Sequence, residues 1–165
     1  ERAGVRGAGL EKKATLQLNK AHWLVTVLGP GRRIGLWVQG CTIHCAGCVS
    51  QDTWPKDATK TIAVRDLVAW CKRTAGDALD GVTISGGEPF EQPDGLRALL
   101  SGLRAWRESA HLDFDILCYS GYPLATLERK RQSDPRSRRR SFGGDLRRIR
   151  RRCRRRTRDP GGSRR

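Results

Sequence analysis

The sequence predicts an α/β domain built from parallel βαβ units. Three observations carry this. Short apolar, β-branched runs alternate along the chain with longer segments of helical periodicity. Two of those segments place their apolar residues on one face. Each of the three clearest strand-like runs ends in a turn that looks unlike core.

The first strand-like run is Trp23-Leu24-Val25-Thr26-Val27-Leu28, closed by the turn signal Gly29-Pro30-Gly31. Ile34 to Val38 reads as a buried strand and runs into Gly40 and a cysteine loop, Cys41 to Trp54. Residues 61–75 read as a helix, because Val64, Leu67, Val68 and Cys71 fall at i, i+3, i+4 and i+7. Val82-Thr83-Ile84-Ser85 is the next strand, ending in Gly86-Gly87-Glu88-Pro89. Residues 93–107 read as a second helix. Pro93 suits its first turn, and Leu96, Leu99, Leu100 and Leu103 form its stripe. Residues 114–119 read as a further strand ending at Ser120-Gly121-Tyr122, and Leu124 opens a third helix. Right-handed crossovers bring the C-terminal ends of parallel strands to one side of the sheet, where such folds bind ligands. The cysteine loop, the Gly-Gly-Glu-Pro turn and the Ser-Gly-Tyr turn are therefore expected to form one shared site.

The chain has 165 residues and a formal charge of +16. The charge is not spread evenly. Residues 1–128 carry 15 basic and 14 acidic side chains, whereas residues 129–165 carry 18 basic and 3 acidic. The expected organisation is a flexible segment over 1–20, a core over 21–128 and an Arg-rich, low-complexity tail over 129–165. No apolar run approaches the ~18 residues of a membrane span. No apolar signal region opens the chain, so a cytoplasmic location is expected. In that compartment, six cysteines point to metal or redox chemistry before disulfides.

Two readings of the tail stand side by side. Phe142, Leu146, Ile149 and Cys153 would line one face of a basic helix, suited to nucleic acid or an anionic membrane. Alternatively, the Arg, Ser, Gly and Pro bias is that of a frameshifted, GC-rich stretch, and the fold stops near Glu128.

Cys41, Cys45 and Cys48 are spaced C-x3-C-x2-C. Structural zinc wants four ligands in a closed tetrahedron, so His44, Cys71 or another distant cysteine would have to complete it. A 4Fe-4S cluster usually has four cysteines; three leave one iron open to an exogenous ligand. A zinc-binding interaction module therefore stands as the alternative to a cluster protein. Gly86-Gly87 after a strand allows close approach of a ligand to the backbone.

Together, these motifs resemble the radical S-adenosylmethionine (SAM) family. Gly29-Pro-Gly-Arg32, Leu36-Trp-Val-Gln-Gly-Cys41, His44-Cys-Ala-Gly-Cys48 and Asp52-Thr-Trp54 resemble the activating proteins of glycyl radical enzymes, closest to the activase of anaerobic ribonucleotide reductase. Gly47, where many radical SAM proteins carry an aromatic residue, matches that subgroup, as does Cys118-Tyr-Ser-Gly-Tyr122. The resemblance spans about residues 19–128. It implies a partial (β/α) barrel, incomplete in this chain because only three strands of about six βα units are recognisable.

The resemblance further implies a 4Fe-4S cluster on Cys41, Cys45 and Cys48, with SAM on the fourth iron. SAM would lie near Gly47, Cys48 and Val49 and near Gly86, Gly87, Glu88 and Pro89. The implied activity is reductive cleavage of SAM to a 5′-deoxyadenosyl radical, which forms a glycyl radical on a partner enzyme. The implied partners are that enzyme, of the anaerobic ribonucleotide reductase type, and a flavodoxin-like or ferredoxin-like electron donor. Nucleic acid is an expected partner only if the basic tail is native. A truncated, inactive fragment of the family carrying a nucleic-acid-binding basic tail is the further alternative. No membrane partner is expected. Arg32 and Arg33 are candidates for contact with an acidic partner. Cys71 and Cys118 read as core. Trp37 and Trp54 are expected to flank and shield the cysteine loop.

Overall fold

The computed structural model describes residues 14–133 and 149–151. Its elements follow the chain as β1 (Thr15–Val25), β2 (Arg33–Val38), β3 (Thr61–Ala63), α1 (Val64–Ala75), β4 (Gly81–Gly86), α2 (Pro93–Ser109), β5 (Asp115–Ser120), α3 (Leu124–Ser133) and β6 (Ile149–Arg151). The strands form one six-stranded sheet in the order β3-β1-β2-β4-β5-β6. β2, β4, β5 and β6 are mutually parallel, while β1 runs antiparallel to both β2 and β3.

The parallel pattern thus holds for the βαβ units and fails for β1. The reason is the connection. The short stretch through Gly29-Pro30-Gly31 is too brief for a crossover, which takes a dozen residues or more, so β1 and β2 pair as a hairpin. β1 also starts earlier than its apolar run suggested. Residues 15–20 are strand, not a flexible segment, because Leu16 is 1% exposed and β1 is hydrogen-bonded on both edges. The far edge of β1 takes residues 61–63 as β3, so the helix expected from 61 begins at Val64.

Along β2, Ile34, Leu36 and Val38 point to one face, where Val82 and Ile84 of β4 and Ile116 of β5 join them. α1 and α2 lie against one another and cover this face with Leu67, Val68 and Cys71 and with Leu96, Leu99, Leu100 and Leu103. These are the two stripes read from the sequence, and burying a leucine of this kind is worth about 1.5–3 kcal/mol.

The opposite face holds a buried cation. Arg33 is 0% exposed. Its guanidinium donates to Thr83 Oγ1 (2.6 Å), to the carbonyls of Pro30 (2.9 Å) and Val82 (3.2 Å), and to Asp115. Register explains the arrangement: Arg33, Gly81 and Asp115 are laterally aligned on three neighbouring strands, and the missing side chain of Gly81 makes room for the guanidinium. Arg33 is therefore unavailable to a partner surface and joins β2, β4 and β5. Arg32 is exposed but already paired, with Nε 3.1 Å from Asp80 Oδ2.

The boundary drawn at residue 128 falls inside α3. Ile149, placed on a helical face with Phe142, Leu146 and Cys153, instead lies in β6, which pairs with Cys118 to Ser120 of β5. The other three residues, and most of the Arg-rich tail, lie outside the described residues. Among the described residues, no helix is long and apolar enough to cross a membrane.

Candidate functional site

Sheet register aligns the ends of β2, β4 and β5, with Val38 beside Gly86 and Ile84 beside Cys118. The three turns that leave these ends are bonded to one another. Gly87 donates its amide to the Val38 carbonyl (2.8 Å), and Glu88 donates its own to Gly40 (2.8 Å). A Cβ on Gly87 would sit 2.2 Å from the Gly40 carbonyl oxygen. The glycine is thus demanded by the neighbouring chain, a reason separate from ligand approach.

Glu88 joins the second turn to the third. Its side chain is 1% exposed. Its carboxylate accepts from the amides of Phe90 (3.0 Å) and Gly121 (2.8 Å) and from Ser120 Oγ (3.0 and 3.1 Å). Burial pushes its carboxyl above the usual range, against the pull of those donors. Glu91 joins all three turns. Its Oε1 accepts from the Thr42 amide (3.0 Å), Thr42 Oγ1 (2.6 Å) and the Tyr122 hydroxyl (3.2 Å). Burial raises the Glu91 carboxyl, but these hydrogen bonds outweigh it and hold the group below its ordinary value.

The cysteine loop is closed at its base. Gly40 and Cys41 donate their amides to the carbonyls of Thr53 (2.7 Å) and Trp54 (2.9 Å). Gln39 is 2% exposed, and its Nε2 donates to the carbonyls of Pro55 (2.6 Å) and Asp52 (3.2 Å). Its Oε1 accepts from Asn19 and Lys60. At the tip, the Cys48 amide donates to the Cys45 carbonyl (3.1 Å), and the Ser50 amide donates to Cys48 Sγ (3.4 Å). Gly47 adopts φ +72° over open space, so conformation is what calls for glycine there.

Cys41, Cys45 and Cys48 are partly buried thiols outside any disulfide. Burial raises the Cys41 thiol, the amides of Ile43 and His44 oppose this, and the charges of Glu91 and Glu88 add to it. Cys71 stands apart in the helical core, its thiol pushed up to about 12 by burial. Cys118 is in β5, and its thiol is raised by burial and by Glu88. Among the described residues, no three His, Cys, Asp or Glu side chains form a group that could hold a single metal ion. A 4Fe-4S cluster makes no such demand, since its thiolates bind different irons. Three thiols on one short loop, with backbone amides turned toward Cys41 and Cys48, fit a cluster better than a closed tetrahedral ion.

The remaining sequence candidates divide. Val49, beside Cys48, is 87% exposed. In the Gly-Gly-Glu-Pro turn only Gly87 is partly exposed; Gly86, Glu88 and Pro89 are buried. Trp54 does lie against the loop, its ring stacked on His44 at 4.6 Å. Trp37 does not flank it: the ring folds back over Gly35, with Lys20 Nζ 5.2 Å from its centroid. Strand alternation turns Trp37 to the face opposite Leu36 and Val38. Gln39, Thr42, Glu91 and Tyr122 received no role from the sequence. The one available signal was Gln39, a polar residue ending an apolar strand.

Residues 27–138 match the family model described as a 4Fe-4S single cluster domain. The chain belongs to this family. Two similar relatives are anaerobic ribonucleoside-triphosphate reductase-activating proteins. That of Enterobacteria phage T4 is 26% identical over 62% of this chain and 64% of its own length. That of Vibrio cholerae is 32% identical over 65% of this chain and 69% of its own. A pyruvate formate-lyase-activating enzyme of Staphylococcus epidermidis is 31% identical over 64% of this chain and 44% of its own. The chain thus spans about two thirds or less of these relatives. Among solved structures, QueE from Escherichia coli is similar in fold, with a TM-score of 0.53 and 20% identity over 65% of this chain and 53% of that one. The resemblance to radical SAM activating proteins is borne out, and with it a 4Fe-4S cluster and SAM as the cofactors of this 4Fe-4S domain.

Proposed function

We propose that this chain is a radical SAM activating enzyme that generates a glycyl radical on a partner protein of the anaerobic ribonucleotide reductase type. The observation that carries the reading is the single rim made by the cysteine loop and the two following turns, joined through Glu88 and Glu91.

Cys41, Cys45 and Cys48 would hold the cluster. SAM would lie against Gly47, Cys48 and Val49 on one side and the turn Gly86 to Pro89 on the other. A cluster held there would supply the one-electron chemistry for reductive cleavage of SAM to methionine and a 5′-deoxyadenosyl radical, which would take hydrogen from a glycine Cα. The electron comes from a flavodoxin-like or ferredoxin-like donor.

The protein's own part is binding and orientation. Gly87 offers the partly exposed backbone of its turn, while Glu88 fixes that turn from behind through Ser120 and Gly121. Glu91 sets the entry to the cysteine loop at Thr42, and Gln39 sets its exit at Asp52 and Pro55. Exposed Val49 offers an apolar side chain at the rim.

The test is anaerobic. Protein reconstituted with iron and sulfide, then reduced, should convert SAM to 5′-deoxyadenosine, and an added anaerobic ribonucleotide reductase should acquire a glycyl radical signal. A full cluster with no 5′-deoxyadenosine would refute the activity. 5′-Deoxyadenosine without a glycyl radical would refute the partner.

A further inference from the structure

The indole of Trp54 carries a donor with nowhere to go. Its Nε1 is shielded from solvent and has no hydrogen-bond partner among the described residues. A buried N–H without an acceptor is costly, so native structures retain few of them. Trp54 is held close to the cysteines at two points. Its carbonyl accepts from the Cys41 amide, and its ring stacks on His44, which lies between Cys41 and Cys45 in the loop. The sulfurs of this loop already collect N–H donors. Cys48 Sγ accepts from the Ser50 amide, and the amides of Ile43 and His44 bear on Cys41.

We infer that the Trp54 indole N–H donates to a sulfur of the cluster assembly on Cys41, Cys45 and Cys48, either a thiolate or a bridging sulfide. The inference rests on the cluster assigned to this loop under the proposed function. Trp54 is then a tuning residue that acts on potential. Reduction adds negative charge to the cluster, and an N–H directed at sulfur stabilises it, so the hydrogen bond raises the reduction potential.

The experiment uses the full chain, reconstituted anaerobically, as wild type and as Trp54→Phe, which keeps an aromatic ring for His44 and removes the N–H. The expected result is equal iron and sulfide content with a lower reduction potential in the variant. In parallel, wild-type protein labelled with 15N in its indoles should show nitrogen coupling to the reduced cluster in pulsed electron paramagnetic resonance. Altered loop packing alone would not produce that coupling. Equal cluster content with an unchanged potential and no 15N coupling would overturn the inference and leave the cluster assignment intact. If Trp54→Phe holds no cluster, the labelled wild type decides by itself: coupling supports the inference and its absence overturns it. Wild type that takes up no cluster would overturn the cluster assignment and this inference with it.

Discussion

Removing the Glu88 carboxylate should loosen the rim and cost measurable stability. In Glu88→Ala, the amides of Phe90 and Gly121 and the hydroxyl of Ser120 lose their acceptor. A buried donor left unsatisfied costs about 1–3 kcal/mol. Water entering the vacated space recovers part of this, so a total of about 3 kcal/mol is expected. With a urea dependence of about 1.5 kcal/mol per M, the unfolding midpoint should fall by about 2 M. Glu88→Gln tests the same geometry more gently. One carboxylate oxygen becomes an amide nitrogen that cannot accept, so one of the two backbone amides loses its partner, at about 1–2 kcal/mol. The variants should also differ from wild type in pH response. Because burial raises the folded-state pKa of Glu88, the folded protein binds the proton more tightly than the unfolded chain. This group's contribution therefore declines as pH rises from the ordinary carboxylate value through the raised one, and levels off above it. Urea titrations of the three proteins across that range check both points. A Glu88→Ala midpoint within about 0.3 M of wild type would refute the role of this carboxylate, since at that slope it leaves only ~0.5 kcal/mol.

Three further outcomes are expected. Gly87→Ala should lose most cluster uptake on reconstitution and about 1–3 kcal/mol of stability, because its Cβ meets the Gly40 backbone at 2.2 Å; iron content and urea melts measure both. Arg33→Met should cost about 3 kcal/mol or more in urea unfolding, since it strips a buried cation from Asp115, Thr83 and two carbonyls. Glu91 should respond to pH in the opposite sense to Glu88: its folded-state pKa is lowered, so its contribution is present above the ordinary value of 4.5 and lost as pH falls through the lowered one. The difference in urea midpoint between wild type and Glu91→Gln should therefore shrink on acidification.

The helices were legible because their stripes are regular: Val64, Leu67, Val68 and Cys71, then Leu96, Leu99, Leu100 and Leu103, are all in the core. The strands before the three turns were legible because they are short, apolar and closed by glycine. Only the first half of β1, Thr15 to Lys20, was hidden, because it mixes Leu16 and Leu18 with polar residues whose partners are distant in sequence. Its direction followed from the length of a loop, which apolar pattern does not record. In the site, the meeting of three turns could be inferred from topology. The bonds that lock it could not, because Glu88 reaches 33 residues along the chain to Gly121 and Glu91 reaches 49 back to Thr42. Arg33 misled for a related reason: only strand register shows that Gly81 opens a space for it.

The central claim is that Cys41, Cys45 and Cys48 hold one 4Fe-4S cluster. Anaerobic reconstitution of wild type and of the three single Cys→Ala variants tests it most directly, with iron and sulfide counted and the visible spectrum recorded. The wild-type chain should carry about four irons and four sulfides, with broad charge-transfer absorption that is lost in each variant. A colourless wild-type protein that instead retains one tightly bound zinc, released by the same substitutions, would contradict it.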